Sequence, residues 1–132
     1  MKPILAVFAG GMLGTAARWG IDLLLPHGGE AFPLGTLLVN LAGSFTLGLL
    51  VARLWPVAPE WLRAGLGPGL LGSFTTFSAL AVSAVELTAS DAPAAAVLYV
   101  AASLVGGIAA AALGIRLGAP RATAPPPIGP DE

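Results

Sequence analysis

Three stretches of this chain, 31–52, 64–85 and 92–115, contain no charged residue. Each is long enough to cross a bilayer, which takes about 20 mostly apolar residues as a helix. A fourth, 3–17, is equally uncharged and runs on through Arg18 and Asp22 to Leu25. Hydrocarbon offers the backbone no hydrogen-bond partner, so a spanning segment must be a helix or one strand of a closed barrel. No strand alternation runs through these windows, which leaves helices. The expectation is a four-helix transmembrane domain over residues 1–117, with helices near 3–25, 33–54, 62–87 and 93–117.

Composition closes off the alternatives. Charged residues make up 10% of 132, against 56% hydrophobic, where a soluble domain carries roughly 25% charged. A net charge of −1 leaves no basic surface for nucleic acid. The absence of cysteine excludes disulfides and thiolate metal sites. Met1-Lys2-Pro3 leads straight into apolar chain, and Ala6-Val7-Phe8-Ala9 is a poor signal-peptide cleavage site, so the first stretch reads as a retained helix. The separators carry turn residues and charge: Pro26-His27-Gly28-Gly29-Glu30, then 53–63 with Pro56 and Pro59, then 86–93. Trp19, Trp55 and Trp61 fall near window ends, where an indole suits the headgroup level. Residues 118–132 read as a disordered Pro-rich tail.

The third window is unusual. Gly65, Gly67, Pro68, Gly69 and Gly72 crowd together ahead of Ser73-Phe74-Thr75-Thr76-Phe77-Ser78. Each interior Gly costs a helix roughly 1 kcal/mol and Pro about 3. Two readings fit: tight packing with a Pro kink, or a helix broken at its centre whose freed backbone holds an ion.

Few residues here can carry chemistry. Asn40 is the one Asn and sits mid-window. Its carboxamide needs partners, either an interhelical hydrogen bond holding a dimer or a place as a pore-lining donor. Thr36 lies one turn earlier on the same face, and Gly43-Ser44 follow. Arg18 and Asp22 are either a pair snorkelling to the interface or, through Arg18, a charge that gathers anions at a vestibule. Tyr99 and Ser103 share a helix face. His27 has no carboxylate or second His at a metal or triad spacing and receives no role. No nucleophile–base pair or metal set stands inside the windows, so no enzyme is expected.

Taken together these motifs resemble a known family. Gly10-Gly11-Met12-Leu13-Gly14-Thr15-Ala16-Ala17-Arg18-Trp19 is similar to the first-helix signature of the Fluc, or CrcB, fluoride channels. Gly35-Thr36-Leu37-Leu38-Val39-Asn40-Leu41-Ala42-Gly43-Ser44-Phe45, with Gly48 after it, resembles their second helix. Gly69-Leu70-Leu71-Gly72-Ser73-Phe74-Thr75-Thr76-Phe77-Ser78 resembles their broken third helix, and Tyr99 and Ser103 fall at matching places in the fourth. The likeness covers about 5–114. It implies an all-α membrane protein whose four transmembrane helices, the third broken at its centre, form an antiparallel dimer with two fluoride pathways. A structural sodium ion would be held at the centre by backbone carbonyls of Gly72 and Thr75. Asn40, Phe77, Ser78, Tyr99 and Ser103 would line the ion path, and Arg18 would stand at an aqueous entrance. The implied function is passive export that lowers cytoplasmic fluoride across the plasma membrane.

The residue types suit that task. Fluoride is small and tightly hydrated, so a pore must replace its water with N–H, O–H or the positive edge of an aromatic ring.

The chain also departs from the family. After Phe77-Ser78 it reads Ala79, Leu80, Ala81, where the family carries hydroxyls and a second pore Phe, and Ser83 takes the place of a Glu that here comes at Glu86. Lys2, Arg53, Arg63, Arg116 and Arg121 fall on one side of a four-span topology and Arg18 alone on the other. The positive-inside rule then puts both termini in the cytoplasm. A biased subunit with altered pore positions raises the alternative of a half-competent partner in a heterodimer. A small multidrug antiporter needs a carboxylate deep in its first helix, and Asp22 is too near the end.

Overall fold

A computed structural model describes residues 1–25 and 32–120. His27, its Gly/Pro loop, and the Pro-rich tail from Arg121 onward lie outside the described residues. Those described fold into helices: α1 (Lys2–Leu24), α2 (Leu34–Arg53), α3 (Glu60–Ala64), α4 (Gly72–Phe74), α5 (Phe77–Ala89) and α6 (Pro93–Gly118). A π-helical segment, Gly65–Leu71, joins α3 to α4. Four stretches are long and apolar enough to cross a membrane: Lys2–Leu24, Leu34–Arg53, Glu60–Ala89 and Pro93–Gly118. The third starts and ends outside the 62–87 read from hydropathy, because Glu60 and Trp61 open it and Thr88 and Ala89 close it.

Local chemistry sets the element ends. Pro3 and Pro93 stand in the first turns of α1 and α6, where a missing N–H is no loss. Asp91 takes a left-handed φ of 57°, a conformation open to Asp, and so turns the chain sharply between α5 and α6. Pro68 lies inside the π segment. It has no N–H to continue an α-helical ladder, and the i→i−5 register, seen where the Gly72 N–H bonds the Gly67 carbonyl, carries the chain past it. Thr46 and Thr88 hydroxyls bond carbonyls four residues back, Ala42 and Ala84, and so need no water in their apolar setting.

Two seams of glycine bring the spans together. The stretch α3–π–α4 packs along α1, and α2 packs along α6, which also carries α5. At Gly10 a side chain would strike the Gly65 carbonyl, and at Gly14 the Leu70 carbonyl. Gly48 faces the Ala111 carbonyl and Gly114 the Phe45 carbonyl in the same way. Gly10-xxx-Gly14 is thus a small-xxx-small face. Lipid tails give no hydrophobic drive between helices, so backbone-to-backbone approach supplies the packing. Between α5 and α6 a small core forms from Leu80, Leu87, Ala96 and Tyr99, with Phe32 against it.

This seam has a measurable signature. Gly14→Val should lose at least ~1–3 kcal/mol by overpacking against main chain that cannot move aside, read as a lower melting temperature or loss of monodisperse protein in detergent. At Gly20, by contrast, nothing lies within 4 Å of the point a Cβ would occupy. Gly20→Ala should therefore hold or raise the melting temperature, since Ala favours helix over Gly by roughly 1 kcal/mol.

Candidate functional site

Two residues in the third span leave the helical conformation. Thr75 has φ −78° and ψ 155°, and Thr76 has φ −148° and ψ 119°. Extended backbone at membrane depth strands its polar groups, and each needs a partner. Asn40 of α2 supplies two of them. Its Nδ2 donates to the Thr76 carbonyl at 3.0 Å, and its Oδ1 accepts from the Thr76 N–H at 2.8 Å. The carboxamide thereby completes the main chain of one residue, as a neighbouring strand would. The partner of Asn40 lies within its own chain. One amide hydrogen of Nδ2 remains for another acceptor.

The Thr76 side chain does further work. Its Oγ1 accepts from the Ala79 N–H at 3.2 Å, an N-cap for α5, and lies 3.1 Å from Ser78 Oγ. In an unbroken helix the Thr76 N–H would bond the Gly72 carbonyl, and the Ala79 N–H the Thr75 carbonyl. Both donors are committed elsewhere. Thr75 meanwhile closes α4 with N–H and Oγ1 bonds to the Leu71 carbonyl, each 2.9 Å. Hence the Gly72 and Thr75 carbonyls lack their helical partners. Among the described residues no group of three His, Cys, Asp or Glu could hold a metal.

Asn40, Gly72, Thr75, Thr76 and Phe77 line one recess of about 520 Å³, together with Ser44. Phe77 is 76% exposed there. A second recess, about 310 Å³, is bounded by Arg18, Asp22 and Glu86, with Thr36, Thr76 and Ser83 inside. Arg18 therefore shares its recess with two carboxylates. Thr76 borders both spaces.

Tyr99 and Ser103 line neither of these recesses. Both are buried on α6, and their hydroxyls have no hydrogen-bond partner. Tyr99 Oη lies beside the Ser83 and Thr36 hydroxyls, and Phe32 meets the tyrosine ring edge-to-face at 5.5 Å. Ser78 is exposed beside Thr76. Ala79, Leu80 and Ala81 do not share a face, since successive helical residues point about 100° apart. Ala79 borders the Arg18 recess, Leu80 lines the Asn40 recess while packing in the core with Tyr99, and Ala81 is exposed. Sequence reasoning gave Thr76 no role of its own. The signal was present: a Thr immediately before the apolar run opening at Phe77 is an N-cap pattern.

Residues 5–115 match the family model described as CrcB-like protein, Camphor Resistance (CrcB). A protein named fluoride-specific ion channel FluC 2, from Halalkalibacterium halodurans, is 44% identical over 93% of this chain and 90% of its own. Proteins named fluoride-specific ion channel FluC from Rhodospirillum centenum and Bordetella petrii are 47% and 45% identical, over 88% and 84% of this chain and 97% and 87% of theirs. These names describe channels, not enzymes.

Asn40→Leu should strand the Thr76 N–H and carbonyl in an apolar setting, at about 1–3 kcal/mol for each group. A fall in melting temperature larger than that of a neutral substitution on the same helix, such as Leu38→Ile, is the expected reading.

Proposed function

Since the chain belongs to the CrcB-like family, we propose that it is a subunit of a fluoride-selective channel that lowers cytoplasmic fluoride by passive export. The carrying observation is the single recess that gathers Asn40, Gly72, Thr75 and Phe77 from two spans. In this reading the subunit works as half of an antiparallel dimer in the plasma membrane. The Thr75–Thr76 interruption is the break at the centre of the third transmembrane helix.

The groups available match what a dehydrated fluoride ion requires. Asn40 keeps one amide hydrogen after satisfying Thr76. The exposed Phe77 ring can turn its positive edge to an anion. Ser78 offers a hydroxyl at the helix start, and the buried hydroxyls of Tyr99 and Ser103 add donors on α6. Arg18 supplies positive charge at an entrance, with Asp22 and Glu86 opposing it.

The Gly72 and Thr75 carbonyls fit a sodium ion. They are hard, uncharged oxygens deprived of their helical donors, and unwound carbonyls of this kind are the usual sodium ligands at discontinuous membrane helices. A bound sodium ion would contribute a fixed positive charge that offsets the dehydration of nearby anions.

A second reading, pairing with a similar subunit of opposite orientation, is favoured by the skewed placement of Lys2, Arg53, Arg63, Arg116 and Arg121 against Arg18. That skew also supports cytoplasmic termini. Leu80 packs in the core with Tyr99 and also lines the recess of Asn40 and Phe77, so an aliphatic side chain at that position supports the same reading.

Liposomes containing the purified protein should release fluoride and retain chloride, with no dependence on a proton gradient. Asn40→Asp should abolish release, because a carboxylate repels the anion and sets an oxygen against the Thr76 carbonyl. Equal chloride and fluoride flux would overturn the proposal. For orientation, a C-terminal reporter expressed with this chain alone should be active on the cytoplasmic side only if the heterodimer reading holds. Activity on both sides, together with robust flux, would establish the homodimer.

A further inference from the structure

We propose that Thr76 is a positioning residue for the cation site, keeping the Gly72 and Thr75 carbonyls open by diverting both of their helical donors. The inference rests on the sodium reading given above and goes beyond it by naming what holds the ligands ready.

Three hydrogen bonds carry it. The Thr76 N–H, which would otherwise close onto the Gly72 carbonyl, is held by Asn40 Oδ1 at 2.8 Å. The Thr76 carbonyl is held by Asn40 Nδ2 at 3.0 Å, which fixes the residue in its extended conformation. The Ala79 N–H, which would otherwise close onto the Thr75 carbonyl, is taken by Thr76 Oγ1 at 3.2 Å. One residue thus frees two oxygens three positions apart, the first through its amide and the second through its hydroxyl. Two carbonyls without donors at membrane depth are unfavourable unless something positive meets them. A cation answers both at once.

The roles separate on mutation. Thr76→Val is nearly isosteric but removes Oγ1 and with it the cap on Ala79, so the extended backbone of residue 76 is held by Asn40 alone and falls back toward helix more readily, closing both carbonyls. Thr76→Ser keeps the cap. The full chain in detergent would be melted across a sodium chloride series, with N-methylglucamine chloride holding ionic strength constant. A ligand that binds only the folded state raises the melting temperature as it fills its site. Wild type should melt higher as sodium rises. Thr76→Val should need about tenfold more sodium for the same rise, the equivalent of one weakened ligand, and Thr76→Ser should stay within about twofold of wild type.

If Thr76 is only a helix cap, Thr76→Val will lower the melting temperature equally at every sodium concentration, and the inference is overturned. If Thr76→Val yields no folded protein, Ala79→Pro tests the same point from the donor side. It removes the competing N–H in the first turn of α5, where Pro is tolerated, and should keep the wild-type sodium response. Loss of that response would also overturn the inference. A wild-type protein indifferent to sodium would overturn the cation reading itself, and this inference with it.

Discussion

A bilayer supplies no hydrogen bonds, so any residue that leaves helical conformation within it must find partners in the protein. In this chain that demand falls on Thr76, and a single carboxamide meets it. Asn40 offers one donor and one acceptor at the spacing of a peptide group, and the Thr76 main chain takes both. A Ser or Thr at position 40 could place one oxygen there but could not reach both groups at once. The extended conformation is therefore tied to the identity of one side chain on another span. The two helices meeting at this point are fixed in register by the same pair of bonds.

The glycine seams make that register possible. Asn40 can reach Thr76 because α2 and the third span approach closely, and Gly43 lies where a Cβ would strike the Thr75 side chain. On the other side, α1 presents Gly10 and Gly14 to the main chain of the π segment and α4. The third span packs along α1 on one side, and on the other it meets α2 across a recess that the carboxamide bridges. Close packing on α1 and the paired Asn40 bonds on the other flank let two extended residues persist without the whole span unravelling.

Much of this was legible in the sequence, for specific reasons. Span number follows from uncharged length alone, because the cost of charge in hydrocarbon leaves a clean signal. Asn40 stood out as the one amide in an uncharged window, although its partner could not be read, since a hydrogen bond between residues 40 and 76 leaves no trace in local spacing. The Gly/Pro run at 65–72 announced irregular backbone, yet two outcomes were compatible with it. The run forms a π segment around Pro68, and two extended residues follow Phe74. Leu80 lines the recess with Asn40 and Phe77, but its second contact was hidden for a different reason. Its alignment with a pore position says what related chains put there, whereas its burial beside Tyr99 depends on how α5 rotates against α6. Rotation about a helix axis is decided by packing across helices, which no single segment records.

The π segment gives the third span an unusual sensitivity to length. A π turn accommodates one residue more than the α turn it replaces, so removing a single residue between 65 and 71 could let the segment relax into ordinary helix with its ends nearly unmoved. The same deletion in α2 would rotate everything beyond it by about 100° and pull it in by about 1.5 Å, carrying Asn40 away from Thr76 if it fell upstream. Insertions and deletions are therefore not equivalent across the four spans. Chain-length drift could be absorbed at the π segment, beside Pro68, while the remaining spans would have to keep their residue count intact.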